Sequence, residues 1–289
     1  YTYNSADKDS LTIGVTVNVI NIYYEKVTGL SYTVNYLEKG TNKVLHTAKT
    51  GDEQTWGTVI NTTDETIDID GYTYNSADKD SLTIGVTVNV INIYYEKVTG
   101  LSYTVNYLEK DTNEVIHPAK TTGEQTFETE IESANEVIDI DGYNYDSVDK
   151  ETLTITTAEN IINIYYTKKD AKVTVHYYEE NTTNKVSEDV EITGKVFDDY
   201  NTTVANDIPS KYELIAEPEN KSGKMTEEDI TVIYYFRKKA TQVNVHYYEE
   251  ETTNKLSEDV TITGRVDDPY TTISAEDVPI KYELVAEPE

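Results

Sequence analysis

The stretch LSYTVNYLEK at residues 30–39 alternates in two-residue steps, with Tyr32, Val34 and Tyr36 on one side and Ser31, Thr33 and Asn35 on the other. That is the pattern of a β-strand with one buried face. Its counterpart is VNVINIYY at residues 88–95, where Ile91, Ile93 and Tyr95 share one face and Asn92 and Tyr94 the other. The β-branched and aromatic content of this second stretch suits a long closing strand. Turn signals such as EKGTN, TTNK and DG lie between such runs. No stretch carries an apolar i, i+3, i+4, i+7 stripe, so the expected fold class is mainly β, with small sheets and little helix.

The same strands return along the chain. Residues 1–39 reappear unchanged as residues 72–110, and IDIDGYTYNSADKDSLTI is echoed by IDIDGYNYDSVDKETLTI. A second variety follows: KVTVHYYEENTTNKVSEDVEITGKV (172–196) recurs as QVNVHYYEEETTNKLSEDVTITGRV (242–266). A fixed period of this length marks a tandem array of repeats of about 70 residues. The phasing sets whole units at 30–98, 101–169 and 172–239, the closing part of a unit at 1–27 and the opening part of another at 242–289. The junctions KVTGL (97–101), KKDA (168–171) and RKKAT (237–241) span only a few residues, so an elongated, semi-rigid string of modules is expected. Tyr1 falls inside a repeat, as expected of a window from a longer chain. Because Tyr282 aligns with Tyr1, head-to-tail strand complementation between chains is a conceivable self-association.

Composition narrows the function. The 289 residues hold 24 Lys and Arg against 54 Asp and Glu, a net charge of −30. No segment is basic enough to follow a nucleic-acid backbone, and an anionic membrane surface would be repelled. No apolar run reaches the length of a spanning helix. Cys is absent, which excludes disulfides and thiolate metal sites. Tyr occurs 26 times against three Phe and one Trp, a bias towards rings that pack at one end and hydrogen bond at the other.

The third unit resembles the MucBP (mucin-binding protein) repeat of Gram-positive surface adhesins. The likeness is carried by VTVHYYEE (173–180), by Thr193-Gly194-x-Val196 followed by Tyr200, by Ile208-Pro209 with Tyr212-Glu213-Leu214, and by GKMTEEDITVIYYF (223–236). The first variety keeps the opening strand, Gly71-Tyr72 or Gly142-Tyr143, and the closing INIYY, but lacks the Thr-Gly step and the Ile-Pro. The third unit itself has Ser210-Lys211 where the family usually has Gly before Tyr. The resemblance implies a β-grasp or ubiquitin-like sheet and a secreted, cell-surface location with cell-wall peptidoglycan attachment through the parent protein. It also implies, for some members, binding to host mucins, surface glycoproteins or their glycans.

The side chains carrying chemistry do not gather into a known constellation. His46, His117, His176 and His246 fall one to a repeat, too few for a His-based nucleophile or a multi-His metal site within one module. Asp68-x-Asp70-Gly71 and Asp139-x-Asp141-Gly142 resemble the start of a calcium loop, yet the Gly comes too early and the closing bidentate Glu is missing. They read as acidic turns. Calcium held loosely near a junction, with Asp198-Asp199 or Asp267-Asp268 adding oxygens, is the one cofactor the pattern leaves open. Tyr94, Tyr165 and Tyr178 face outward and suit either sheet cover or stacking on sugar rings. The reading assigns no catalytic, cofactor or metal residue, and numbers no ligand-binding position. It expects a non-enzymatic adhesin segment that serves as a stalk and can bind host glycoprotein multivalently, the alternative being a purely structural fibre or stalk with ligand binding elsewhere in the parent protein.

Overall fold

The computed structural model describes residues 1–272 and 274–285, so the far end of the expected unit 242–289 lies outside the described residues. Strands β1 (Thr2–Ala6) and β2 (Ile22–Glu25) form an antiparallel ribbon. Then come β3 (Leu30–Glu38), β4 (Val44–Gln54), β5 (Val59–Asn61), β6 (Tyr72–Ala77), β7 (Ser81–Thr83) and β8 (Val90–Lys97). Four of them make one sheet in the order β4-β3-β8-β6, and β5 pairs with β7 separately. The central neighbours β3 and β8 run parallel, with Val34 opposite Ile91 and Tyr36 opposite Ile93. Parallel pairing of the first and last long strands requires a crossover, and the intervening 50-odd residues supply it.

The arrangement recurs. Strands β9 (Leu101–Glu109), β10 (Val115–Gln125), β11 (Glu130–Glu132), β12 (Tyr143–Val148), β13 (Thr152–Thr154) and β14 (Ile161–Lys168) give a sheet β10-β9-β14-β12 and a pair β11-β13. The second variety does the same with β15 (Asp170–Glu179), β16 (Val190–Lys195), β17 (Asp199–Asn201), β18 (Tyr212–Leu214), β19 (Ser222–Lys224) and β20 (Ile230–Lys238), giving β16-β15-β20-β18 and β17-β19. A last ribbon joins β21 (Ala240–Val245) to β22 (Val260–Arg265). The fold is mainly β, and its strand order is that of a β-grasp. A single 3-10 turn, Thr62–Glu65 or Ser133–Glu136, stands where a β-grasp helix would lie. By contact density the chain groups into two units, Tyr1–Asp139 with Tyr145–Tyr166, and Ile140–Asn144 with Thr167–Glu289. The division falls inside a sequence repeat rather than between repeats.

Each core is built from the alternation seen in sequence. Tyr32, Val34, Tyr36, Ile91, Ile93 and Tyr95 are buried on one face of the first sheet, closed over by Ile60, Ile67, Leu82 and Ile84. The core tyrosines stay because their hydroxyls find partners, as burying an unpaired hydroxyl is costly. Tyr95 Oη donates to Ile67 O at 2.9 Å and accepts from Ile67 N at 3.1 Å, pinning the loop that replaces a helix. Tyr32 Oη donates to Glu65 Oε1 at 2.9 Å, and Lys49 Nζ completes that buried carboxylate at 2.6 Å. Tyr103, Glu136 and Lys120 repeat the triad in the next repeat. In the second variety Tyr234 instead meets Thr202 Oγ1 at 2.9 Å, and Tyr177 donates to Thr203 O at 3.0 Å.

Candidate functional site: the joints between repeats

The turn that opens β6 is closed by Tyr72 N donating to Ile69 O at 3.0 Å, with Gly71 at φ +77°. That left-handed conformation favours glycine. The residue after β8, Val98, donates its N–H back to Gly71 O at 2.9 Å and accepts at its own carbonyl from Phe127 N at 2.9 Å. One linker residue is thereby bonded to the repeat it leaves and to the repeat that follows. Each such bond contributes about 1 kcal/mol net.

The same main-chain arrangement occurs at every later junction. Lys169 N donates to Gly142 O at 2.9 Å, and Val196 N donates to Lys169 O at 3.0 Å. Lys239 N donates to Lys211 O at 2.8 Å, and Val266 N donates to Lys239 O at 3.0 Å. At the first junction Trp56 N donates to Val27 O at 2.7 Å. The receiving turns are alike too, with Thr129 N to Thr126 O, Asp198 N to Lys195 O and Asp268 N to Arg265 O all at 3.0 Å.

Side chains close over these main-chain bonds. The Phe127 ring covers the buried Gly71 and meets Tyr72 edge-on at 5.6 Å between centroids. Phe197 covers Gly142 and lies 5.7 Å from the Tyr143 ring, and Trp56 meets Tyr1 at 5.4 Å. Offset and edge-to-face contacts of this kind contribute about 1 kcal/mol beyond the area they bury. In a chain of net charge −30 the joints also collect cations. Glu128 Oε2 lies 2.9 Å from Lys97 Nζ and 3.4 Å from Lys43 Nζ. Hydrogen bonding and attraction from Lys97, with Lys43 adding to it, hold the Glu128 carboxyl below the ordinary glutamate range. Lys169 pairs with Glu227, which also accepts from Gly142 N at 3.3 Å. At the fourth joint Lys211 and Lys238 both face Asp267, at 2.7 and 3.7 Å.

Of the residues singled out from sequence, Gly71, Tyr72, Gly142, Tyr143, Asp70 and Asp267 lie at the joints, and the four histidines fall elsewhere. His46 and His117 are exposed on edge strands, each ring edge-on to a core tyrosine, Tyr36 or Tyr107. His176 and His246 each pair with one aspartate, Asp189 at 2.9 Å and Asp259 at 2.8 Å. Asp70 accepts from Thr157 Oγ1 at 2.7 Å, Asp198 from Lys195 N at 2.9 Å and Asp268 from Arg265 N at 2.7 Å, while Asp199 pairs with Lys224. Among the described residues no three His, Asp or Glu side chains come together as metal ligands. Tyr94, Tyr165 and Tyr178 are half-buried on the sheet faces opposite the cores. Beside Tyr94 runs a polar row in which Asn35 Nδ2 donates to Asn92 Oδ1 at 2.8 Å and Asn92 Nδ2 donates to Asp78 Oδ2 at 3.1 Å. The junctions were placed from sequence, but the bonds across them were not foreseen.

Small β modules that pass one main-chain bond to the next through a single linker residue define a class, the tandem β-repeat arrays. The chain belongs to the MucBP domain family, whose model matches residues 103–167, 172–237 and 242–289, more than half of its length. The second and third of these stretches are the second variety of repeat, and the first shows that the first variety belongs as well. MucBP domains are repeat domains of adhesin-type surface proteins. The chain is 29% identical over 287 residues to Internalin J of Listeria monocytogenes serotype 4b, covering 94% of this chain and 29% of that protein. It is 29% identical to Internalin I of Listeria monocytogenes serovar 1/2a, covering 65% of this chain and 10% of that protein. It thus spans less than a third of either relative. A type 2 repeat of the mucus binding protein MUB from Lactobacillus reuteri aligns with 73% of this chain and 100% of its own length, at 11% identity and a TM-score of 0.21. No helix among the described residues is long and apolar enough to cross a membrane.

Proposed function

We propose that this chain is the repeat region of a Gram-positive surface adhesin, working as an extended, non-enzymatic stalk. In this reading the parent protein is secreted and held at cell-wall peptidoglycan. Its repeats add weak, multivalent contacts to host mucin or other surface glycoproteins, whose combined strength exceeds that of any one repeat. The observation that carries the proposal is the linker residue bonded to both neighbours, found at Val98, Lys169 and Lys239. A joint of this kind restrains each repeat against the next, which is what a spacer requires. Family membership supports the adhesin setting. Two measurements on the full chain test the reading. Small-angle scattering should give a maximum dimension several times the thickness of a single sheet pair, and a globular profile would overturn the stalk. Saturable binding to immobilised mucin, competed by soluble mucin, is expected of the adhesive part.

A second reading is a purely structural spacer, self-assembled head to tail or not, with ligand binding elsewhere in the parent protein. The scatter of His46, His117, His176 and His246 into separate positions, each with its own ring or aspartate neighbour, favours it. Absence of mucin binding at every salt and calcium concentration would leave this reading alone.

A further inference from the structure

We infer that the joints carry a pairing rule: the residue before the turn tyrosine of one repeat is matched by the side chain that the receiving turn of the next repeat sets against it, a ring for glycine and a carboxylate for lysine. The main-chain bonds are common to all the joints, so they cannot distinguish one neighbour from another. The side chains can. Gly71 and Gly142 are each covered by a phenylalanine ring, and a Cβ at either would lie 2.3 or 2.7 Å from ring carbons. Lys211, at the corresponding position of the second variety, lies over the ring of its own neighbour Tyr212 at 5.7 Å and receives from the following repeat the Asp267 carboxylate at 2.7 Å in place of a phenylalanine.

The two rings reach their glycines from different places in the receiving turn. Phe127 is the residue whose N–H bonds the linker carbonyl, whereas at the next joint that residue is Val196 and the ring comes from Phe197, one position on. The ring-on-glycine match is therefore retained while the position supplying it moves, which points to the pairing itself as the constraint. Where glycine gives way to Lys211, the Phe197 position holds Asp267. A ring in place of Asp267 would cost Lys211 its carboxylate and leave it only the weaker attraction of an aromatic face. A carboxylate set against glycine would leave the glycine surface uncovered. Either mismatch costs the joint a contact, a difference of the kind that enforces specificity, and near-identical tandem modules need such discrimination against misassembly.

The test is hydrogen exchange on the full chain, read at the Val266 amide, which donates to Lys239 O at 3.0 Å. In Lys211→Gly and in Asp267→Phe that amide should exchange about tenfold faster than in the parent, through local opening of the joint. In the double variant it should return to within about threefold, because the ring-on-glycine match of the preceding joint has been rebuilt. A double variant that exchanges as fast as Asp267→Phe overturns the rule, as do single variants that exchange like the parent. Amides of the β21–β22 ribbon report whether the receiving repeat stays folded. Should that ribbon lose protection, the charge exchange Lys211→Glu with Asp267→Lys decides at two exposed positions. It should keep Val266 protected where Lys211→Glu alone does not, and equal exchange in the two overturns the proposal.

Discussion

The Phe127 ring sits on Gly71 so closely that a Cβ on the glycine would lie 2.3 Å from Cε1 and Cζ. Two demands therefore meet at one residue, since Gly71 also holds φ at +77°.

Gly71→Ala should destabilise the protein by about 2–4 kcal/mol, the sum of a left-handed alanine and an overpacked contact. Gly40 offers the control. It has φ +86° and nothing within 4 Å of its would-be Cβ, so Gly40→Ala should cost only about 1 kcal/mol. Urea denaturation of both variants checks the difference.

Tyr95→Phe removes a hydroxyl that both donates to and accepts from the backbone of Ile67. A loss of about 1–3 kcal/mol is expected, because two half-buried backbone groups lose their partner. Tyr94→Phe, on the opposite face of the same strand, should stay within about 0.5 kcal/mol of the parent. Thermal midpoints of the two variants make the comparison.

Lys49→Met leaves the buried Glu65 carboxylate with Tyr32 as its remaining side-chain donor. Destabilisation of about 1–3 kcal/mol is expected, reduced by the solvent that reaches the lysine end of the pair. Adding Glu65→Gln should recover part of it, and a double-mutant cycle measures the coupling.

Acid should loosen the second joint before it unfolds a sheet. Glu128 is held below the ordinary glutamate range by Lys97 and Lys43. A carboxylate depressed in the folded state stabilises fully above its unfolded pKa, and that contribution is lost as pH falls through the depressed value. Exchange at the Phe127 amide, corrected for the intrinsic pH dependence, should therefore rise below about pH 4. Glu128→Gln should remove the pH dependence, and high salt should weaken it.

The two-residue alternation in 30–39 and 88–95 was enough to tell the buried from the open face of β3 and β8, because a half-buried sheet leaves no other place for Tyr32, Val34 or Ile91. The period likewise foretold that the same sheet would recur. The buried Glu65 and Glu136 escaped notice, since in so acidic a chain a glutamate reads as solvated surface until Tyr32 and Lys49 are brought to it from distant strands. The joint was hidden for a related reason. Gly71 reads as an ordinary turn glycine, and nothing local marks Phe127, 56 residues further on, as its cover. The contact between them is a property of two repeats together, and a reading made repeat by repeat does not contain it. The open face of each sheet, with Tyr94 beside the Asn35–Asn92–Asp78 row, was visible as a pattern, although its hydrogen bonds were not.

Val98, Lys169 and Lys239 hold their junctions with main-chain atoms, so these bonds form whatever the linker side chain. Slippage or unequal exchange in the gene that adds or removes one whole period would regenerate a working junction at the new boundary, provided the flanking turns match. The number of modules could then change in whole steps, with no new contact having to evolve.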